Sequence, residues 1–183
     1  MKALVFAAAL AVITTATMAQ QVTLFDRFPL GAKFTLTKVC PSNWHEGVKE
    51  LCWLERPKNY SGERSGPVQF PNKTTLPSWA EFAPVELLVR GDLLARVQLH
   101  IYPQDQLTVI KSIAARFGEP GQLSLSDPSA KWAIWERPDI TIHFSCGTGK
   151  WCWLYFTSAE ESARNARIRA DLKQRDAARP KMP

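Results

Sequence analysis

Hydrophobic and polar residues alternate with period two along much of this chain, in short stretches separated by turn residues. Residues 33–40 (KFTLTKVC) put Phe34, Leu36 and Cys40 on one side and Thr35 and Thr37 on the other, the pattern of a half-buried strand. Residues 51–56 (LCWLER) predict a second short strand with Cys52 and Leu54 sharing a face. Residues 85–90 (VELLVR) and 93–102 (LLARVQLHIY) flank Gly91-Asp92, a connection suited to a type II′ hairpin. Strands at 131–137 (KWAIWER) and 140–146 (ITIHFSC) are joined by Pro138-Asp139. A seventh, 151–157 (WCWLYFT), follows the turn at Gly147-Thr148-Gly149-Lys150. Ile140, Ile142, Phe144 and Cys146 share the core side of the sixth strand, and Cys152, Leu154 and Phe156 that of the seventh. On the fifth strand, Trp132 and Ile134 are assigned to the core and Trp135 to the opposite side.

The period changes twice. Leu107, Ile110, Ala114 and Phe117 recur at helical spacing over 104–117, with Gly118 as the residue after the helix and Pro120 preventing continuation. Ser158-Ala159-Glu160-Glu161 is a capping box that opens a terminal helix with little apolar surface. Between these regular parts, residues 57–82 carry Pro57, Pro67, Pro71 and Pro77 together with Gly62 and Gly66. That stretch reads either as a binding loop or as one hiding a short edge strand near Val68–Phe70. The fold expected is α+β: a mainly antiparallel sheet of five to seven strands, one packed helix and a basic C-terminal helix.

The amino terminus reads as an address rather than as fold. Lys2 precedes the unbroken apolar run Leu4 to Ile13, and Thr17-Met18-Ala19 offers small residues at the −3 and −1 positions of a cleavage site. The run is shorter than the roughly 20 residues a bilayer requires. The organisation expected is a signal peptide at 1–19, a domain at 20–157 and a helical tail at 158–183, with the mature protein periplasmic or secreted and not an integral membrane protein. Cys40, Cys52, Cys146 and Cys152 form an even set in that oxidising setting, which points to two disulfides. Bridges 40–52 and 146–152 each suit neighbouring strands, but three pairings are open. The Cys-Trp-Leu of 52–54 returns at 152–154, as two similar disulfide-closed hairpins would produce.

Of the 23 basic residues, Lys2 leaves with the signal peptide, so the mature chain carries 22 against 17 acidic ones. Residues 158–183 hold seven basic and four acidic residues, so the basic excess belongs mainly to the tail. That distribution speaks against a nucleic-acid-binding fold, whose cations are mounted on one structured face. No nucleophile elbow, H-E-x-x-H, P-loop or dinucleotide fingerprint is present, and no cofactor or catalytic residue is assigned. His100 and His143 lie opposite the core residues of their strands, without the carboxylate that a metal site would add, so no metal is expected.

The aromatic pattern is the strongest binding signal. Trp151, Trp153 and Tyr155 stand opposite the core side of the seventh strand, with Trp53 and Trp135 in matching positions on the second and fifth. Neighbouring strands would bring these five into one patch, unless a helix covers that face and makes them core. Phe117-Gly118-Glu119-Pro120, leading on to the strand at Trp132, resembles the helix–Gly-x-Pro–strand unit of small bacterial envelope proteins, including outer-membrane assembly lipoproteins. The chain departs from those lipoproteins in lacking a cysteine after the cleavage site and in placing strands first, so no family is assigned. The function expected is a non-enzymatic periplasmic binding or accessory protein using the aromatic face or the 57–82 loop, with an envelope protein or polymer as partner. The alternatives are an anionic-polymer binder acting through the basic helix, and an inhibitor or immunity protein against a secreted toxin or hydrolase.

Overall fold

Tight turns organise the sheet. Ser61 and Gly62 both take positive φ, 50° and 81°, as a type I′ turn requires, and join β2 (Lys58–Tyr60) to β3 (Glu63–Gln69). Gly91, at φ 58°, joins β4 (Val85–Arg90) to β5 (Leu93–Ile101). The computed structural model describes residues 28–71, 77–80, 83–102, 106–126, 131–148 and 151–178. The expected signal peptide and the end of the tail lie outside these residues.

After β5 the chain forms α1 (Gln106–Phe117) and then a second meander of β6 (Gln122–Ser124), β7 (Lys131–Glu136), β8 (Ile140–Cys146) and β9 (Cys152–Ser158). With the two-residue β1 (Cys52–Trp53), the strand order is β1-β3-β4-β5-β9-β8-β7-β6, and β2 also pairs with β3. The pairings between these strands are all antiparallel, and the two meanders meet along β5 and β9, where Val97 faces Phe156 and Leu99 faces Leu154. The fold is therefore α+β with nine strands among the described residues, more than the five to seven expected. β2 and β6, three residues each, are too short for periodicity to reveal.

The core occupies one face. Leu87 and Val89 of β4, Leu99 of β5, Phe144 of β8 and Leu154 of β9 pack there against Val109, Ile110 and Ile113 of α1. Of the expected helical stripe, Ile110 is buried and Phe117 packs against the core, while Leu107 departs from it. Leu107 is 52% exposed, because the helix turns Val109 and Ile113 to the sheet instead. Gly118 takes φ 75° and its N–H reaches the Ala114 carbonyl, ending α1 where the sequence places the end.

Two further expectations change. Residues 33–40 keep their alternation as far as buried Leu36, but meet the sheet only at isolated bridges, Lys33 to Leu93 and Val39 to Trp53. Between those points the Leu36 carbonyl accepts from the Trp53 indole and the Arg64 guanidinium rather than from a strand. The 57–82 stretch is no single loop, since β2 and β3 fill most of its first half. Gly66 lies within β3 beside the Trp53 ring, which a Cβ there would meet at an ordinary contact distance of 3.6 Å.

Cys40 and Cys52 are bonded, as are Cys146 and Cys152, and none of the cysteines is free. Cys146 and Cys152 are direct partners across β8 and β9. The Val39–Trp53 bridge beside the other disulfide is parallel, so the repeated Cys-Trp-Leu does not mark two similar hairpins. No helix among the described residues is long and apolar enough to cross a membrane.

Candidate functional site

Side chains that alternate away from the core compose the second face of the sheet. Its centre is β9: Trp153 lies between His100 of β5 and Ser145 of β8, Tyr155 between Gln98 and His143, and Thr157 between Arg96 and Thr141. Trp151 continues the row beyond the strand and meets Tyr102, ring centroids 4.0 Å apart. Trp153 and Tyr155 lie parallel within 6°, with centroids 6.3 Å apart. Trp151, Trp153 and Tyr155 are all partly exposed.

The other two expected members belong to the core. Trp53 and Trp135 are each fully buried. The Trp53 indole donates to the Leu36 carbonyl at 2.9 Å, and the Trp135 indole donates to the Gly118 carbonyl at 2.8 Å. The reason is register. Ala133 faces Phe144 and Trp135 faces Ile142, so β7 turns those positions inward and sends Trp132 and Ile134 to the second face. Burying an indole is tolerable because its single N–H finds a carbonyl at once. Trp135 and Arg137 together satisfy the carbonyls at the end of α1, with Arg137 donating to Phe117 and Glu119.

The second helix, α2 (Ala159–Ala178), reaches over part of this face. Its first turn is firmly held. Ser158 Oγ accepts from the Glu161 N–H at 3.2 Å, completing half of the expected capping box. The Glu161 side chain does not return to Ser158. It is buried, and it accepts two hydrogen bonds from Arg90 at 2.8 and 3.0 Å. Arg90 also pairs with Glu63 on β3, and the Glu161 bond above all raises its pKa further. Beyond Asn165 every described helix residue is exposed.

Between α2 and the sheet lies a cleft of about 490 Å³. Tyr155, His143, Thr141 and Thr157 form its floor, and Arg96 and Glu136 stand at its sides. Ser162, Ala163, Asn165, Ala166 and Arg169 of α2 line it from the other side. Arg96 sits over the Tyr155 ring, 5.7 Å from its centroid. Burial and then the Arg169 guanidinium hold His143 below the ordinary imidazole pKa, so it is neutral at neutral pH. Burial raises the Tyr155 hydroxyl, with Glu86 adding to this and Arg96 opposing it.

Sequence reasoning missed the cleft. Arg96 and Thr157 are legible as second-face positions once their strands are recognised, but nothing local says that Arg169 crosses above them. His100 and His143 do share this face, on β5 and β8, with β9 between them. The Gln98 amide nitrogen lies 2.7 Å from His100 Nε2, and a Glu86 oxygen lies 3.8 Å from it. Among the described residues no group of three histidine, cysteine, aspartate or glutamate side chains is placed to hold a metal ion. Compared with known proteins, the chain matches no family model, no curated protein and no solved structure.

Proposed function

We propose that this is a non-enzymatic binding or accessory protein of an oxidising compartment, the periplasm or the exterior, whose working surface is the second face of the sheet. The observation that carries the reading is the row Trp151, Trp153 and Tyr155, half-exposed on a face whose other side already builds the core. Aromatic residues displayed on a rigid sheet give large contact area at low entropic cost, the composition of interaction hot spots. Two disulfides suit the compartment. What converges on the face can stack, exchange hydrogen bonds and attract charge, and all four cysteine thiols are tied up in bridges.

The test is the double variant Trp151→Ala/Trp153→Ala, used as bait against a native envelope extract beside the wild type. Loss of a stoichiometric partner with the unfolding midpoint nearly unchanged is the expected result. Undiminished capture would remove the aromatic row from the binding surface. The basic-helix alternative rests on residues 158–183 as a whole, which carry seven basic and four acidic residues. Within α2 itself, Arg164, Arg167, Arg169, Lys173 and Arg175 stand beside Glu160, Glu161, Asp171 and Asp176, a nearly balanced set.

A further inference from the structure

The groups around the cleft under α2 define a ligand more narrowly than the face as a whole. The helix is pinned at its first turn by Ser158 and by the Arg90–Glu161 pair, then stands clear of the sheet instead of packing on it. Small side chains make the gap. Ala163 and Ala166 line the cleft and are nevertheless exposed, so the space opens to solvent.

Its chemistry is mixed in a particular way. Among the described residues neither Arg96 nor Arg169 forms a salt bridge, and both guanidinium groups border the cleft. Thr141, Thr157, Ser162 and Asn165 add uncharged hydrogen-bonding groups, and Glu136 adds one acceptor carboxylate. Tyr155 adds an aromatic ring, with the Arg96 guanidinium over it. A peptide anchor or a lipid chain would want a lining without charge, whereas two guanidinium groups and a carboxylate border this one. A nucleic-acid backbone would want a run of cations with no carboxylate among them. A sugar bearing a carboxylate suits this lining: hydroxyls to the threonines, Ser162, Asn165 and Glu136, and carboxylate to the arginines, one of which lies over the Tyr155 ring. At about 490 Å³ the cleft falls within the usual range of small-ligand sites and suits one or two sugar units.

Resting on the binding-protein reading above, we infer that the cleft between α2 and the second face of the sheet binds an acidic saccharide, its carboxylate held by Arg96 and Arg169. Digalacturonic acid serves as the probe, with neutral galactobiose and inorganic sulfate as comparisons, in two-dimensional NMR titrations of the full chain. Digalacturonic acid is expected to shift the His143 and Tyr155 ring signals at millimolar concentration, and to raise the His143 pKa as negative charge enters beside it. Galactobiose and sulfate are each expected to bind at least about tenfold more weakly. Arg96→Gln and Arg169→Gln are each expected to weaken digalacturonic acid by about tenfold while leaving the unfolding midpoint in place.

Equal binding of galactobiose would overturn the role of the arginines, and equal binding of sulfate would reduce the site to a bare anion contact. Absence of any shift at His143 and Tyr155, a wild-type result that depends on no variant folding, would overturn the site itself. If the tryptophan double variant still loses its captured partner in that case, the cleft proposal fails alone. If neither experiment responds, the binding-protein reading fails with it.

Discussion

Trp53 and Trp153 begin from the same local motif, Cys-Trp-Leu, and end in opposite environments. Trp53 is fully enclosed with its N–H satisfied, so Trp53→Ala would leave a large cavity and a Leu36 carbonyl with only its longer bond from Arg64, at a cost of about 3–5 kcal/mol. Trp153 loses only its contacts with Tyr155 and His100, so Trp153→Ala is expected to cost about 1 kcal/mol. Denaturant unfolding of the two variants measures the difference directly. His143 makes a second prediction at this scale. Facing it are Tyr155 on β9, Arg169 on α2, Ile134 on β7 and, across the same cleft, Arg96 and Glu136. Its folded pKa is depressed, so below about pH 6.5 the unfolded chain binds the proton more readily. The stability it contributes is full above that pH and is lost as the pH falls through the lowered folded value. Stability measured against pH should therefore lose part of its acid-side slope in His143→Gln, and an unchanged slope would contradict the burial of that ring.

At the scale of elements, α2 depends on its first turn. Its described residues beyond Asn165 are exposed, so packing contributes little, and an isolated helix of this length is marginal in water. The Ser158 cap and the Arg90–Glu161 pair must hold it in place. Ser158→Ala is expected to cost about 1 kcal/mol. Glu161→Gln should cost about 1–3 kcal/mol, since it strips the charge from a buried partner of Arg90. The two residues share one turn, so the double variant should cost less than the sum. Circular dichroism should show helix lost together with stability, and loss of stability with full helix content would place the anchor elsewhere.

The whole molecule is two meanders sewn along β5 and β9, with α1 on the core face and the start of α2 on the other. Each side of that seam carries core residues over its full length, whereas β2 and β6 are short outer strands with exposed side chains. Amide hydrogen exchange should accordingly be slowest in β5 and β9 and fast in β2 and β6. Comparable protection in β6 and β9 would contradict this division. The disulfides follow the same plan. Cys40–Cys52 closes the longer loop and is worth about 3 kcal/mol in the chain-entropy model, against about 2 for Cys146–Cys152. Replacing each pair with alanine and comparing unfolding midpoints reads that order.

What the sequence determined by itself is what short-range physics controls. Gly91 between two alternating runs makes a hairpin, Gly118 stops a helix, Ser158 starts one, and Cys146 and Cys152 meet because their strands are joined by a short turn. The period-two pattern likewise placed Trp151, Trp153 and Tyr155 away from the core, since Leu154 and Phe156 alternate with them. Tertiary structure decided the rest. β3 runs through Gly66 and Pro67, residues that discourage a strand, because β4 pairs with it on one side and β1 and β2 on the other. Trp135 points inward because its strand is registered against Ile142, a choice that β7 alone leaves open when both of its faces carry tryptophan. The cleft exists because a buried ion pair between residues 71 positions apart aims a helix of small side chains across the sheet. Alternation and turn chemistry act over a few residues and can be read from them, whereas the face a strand buries and the direction a helix takes depend on partners distant in the chain.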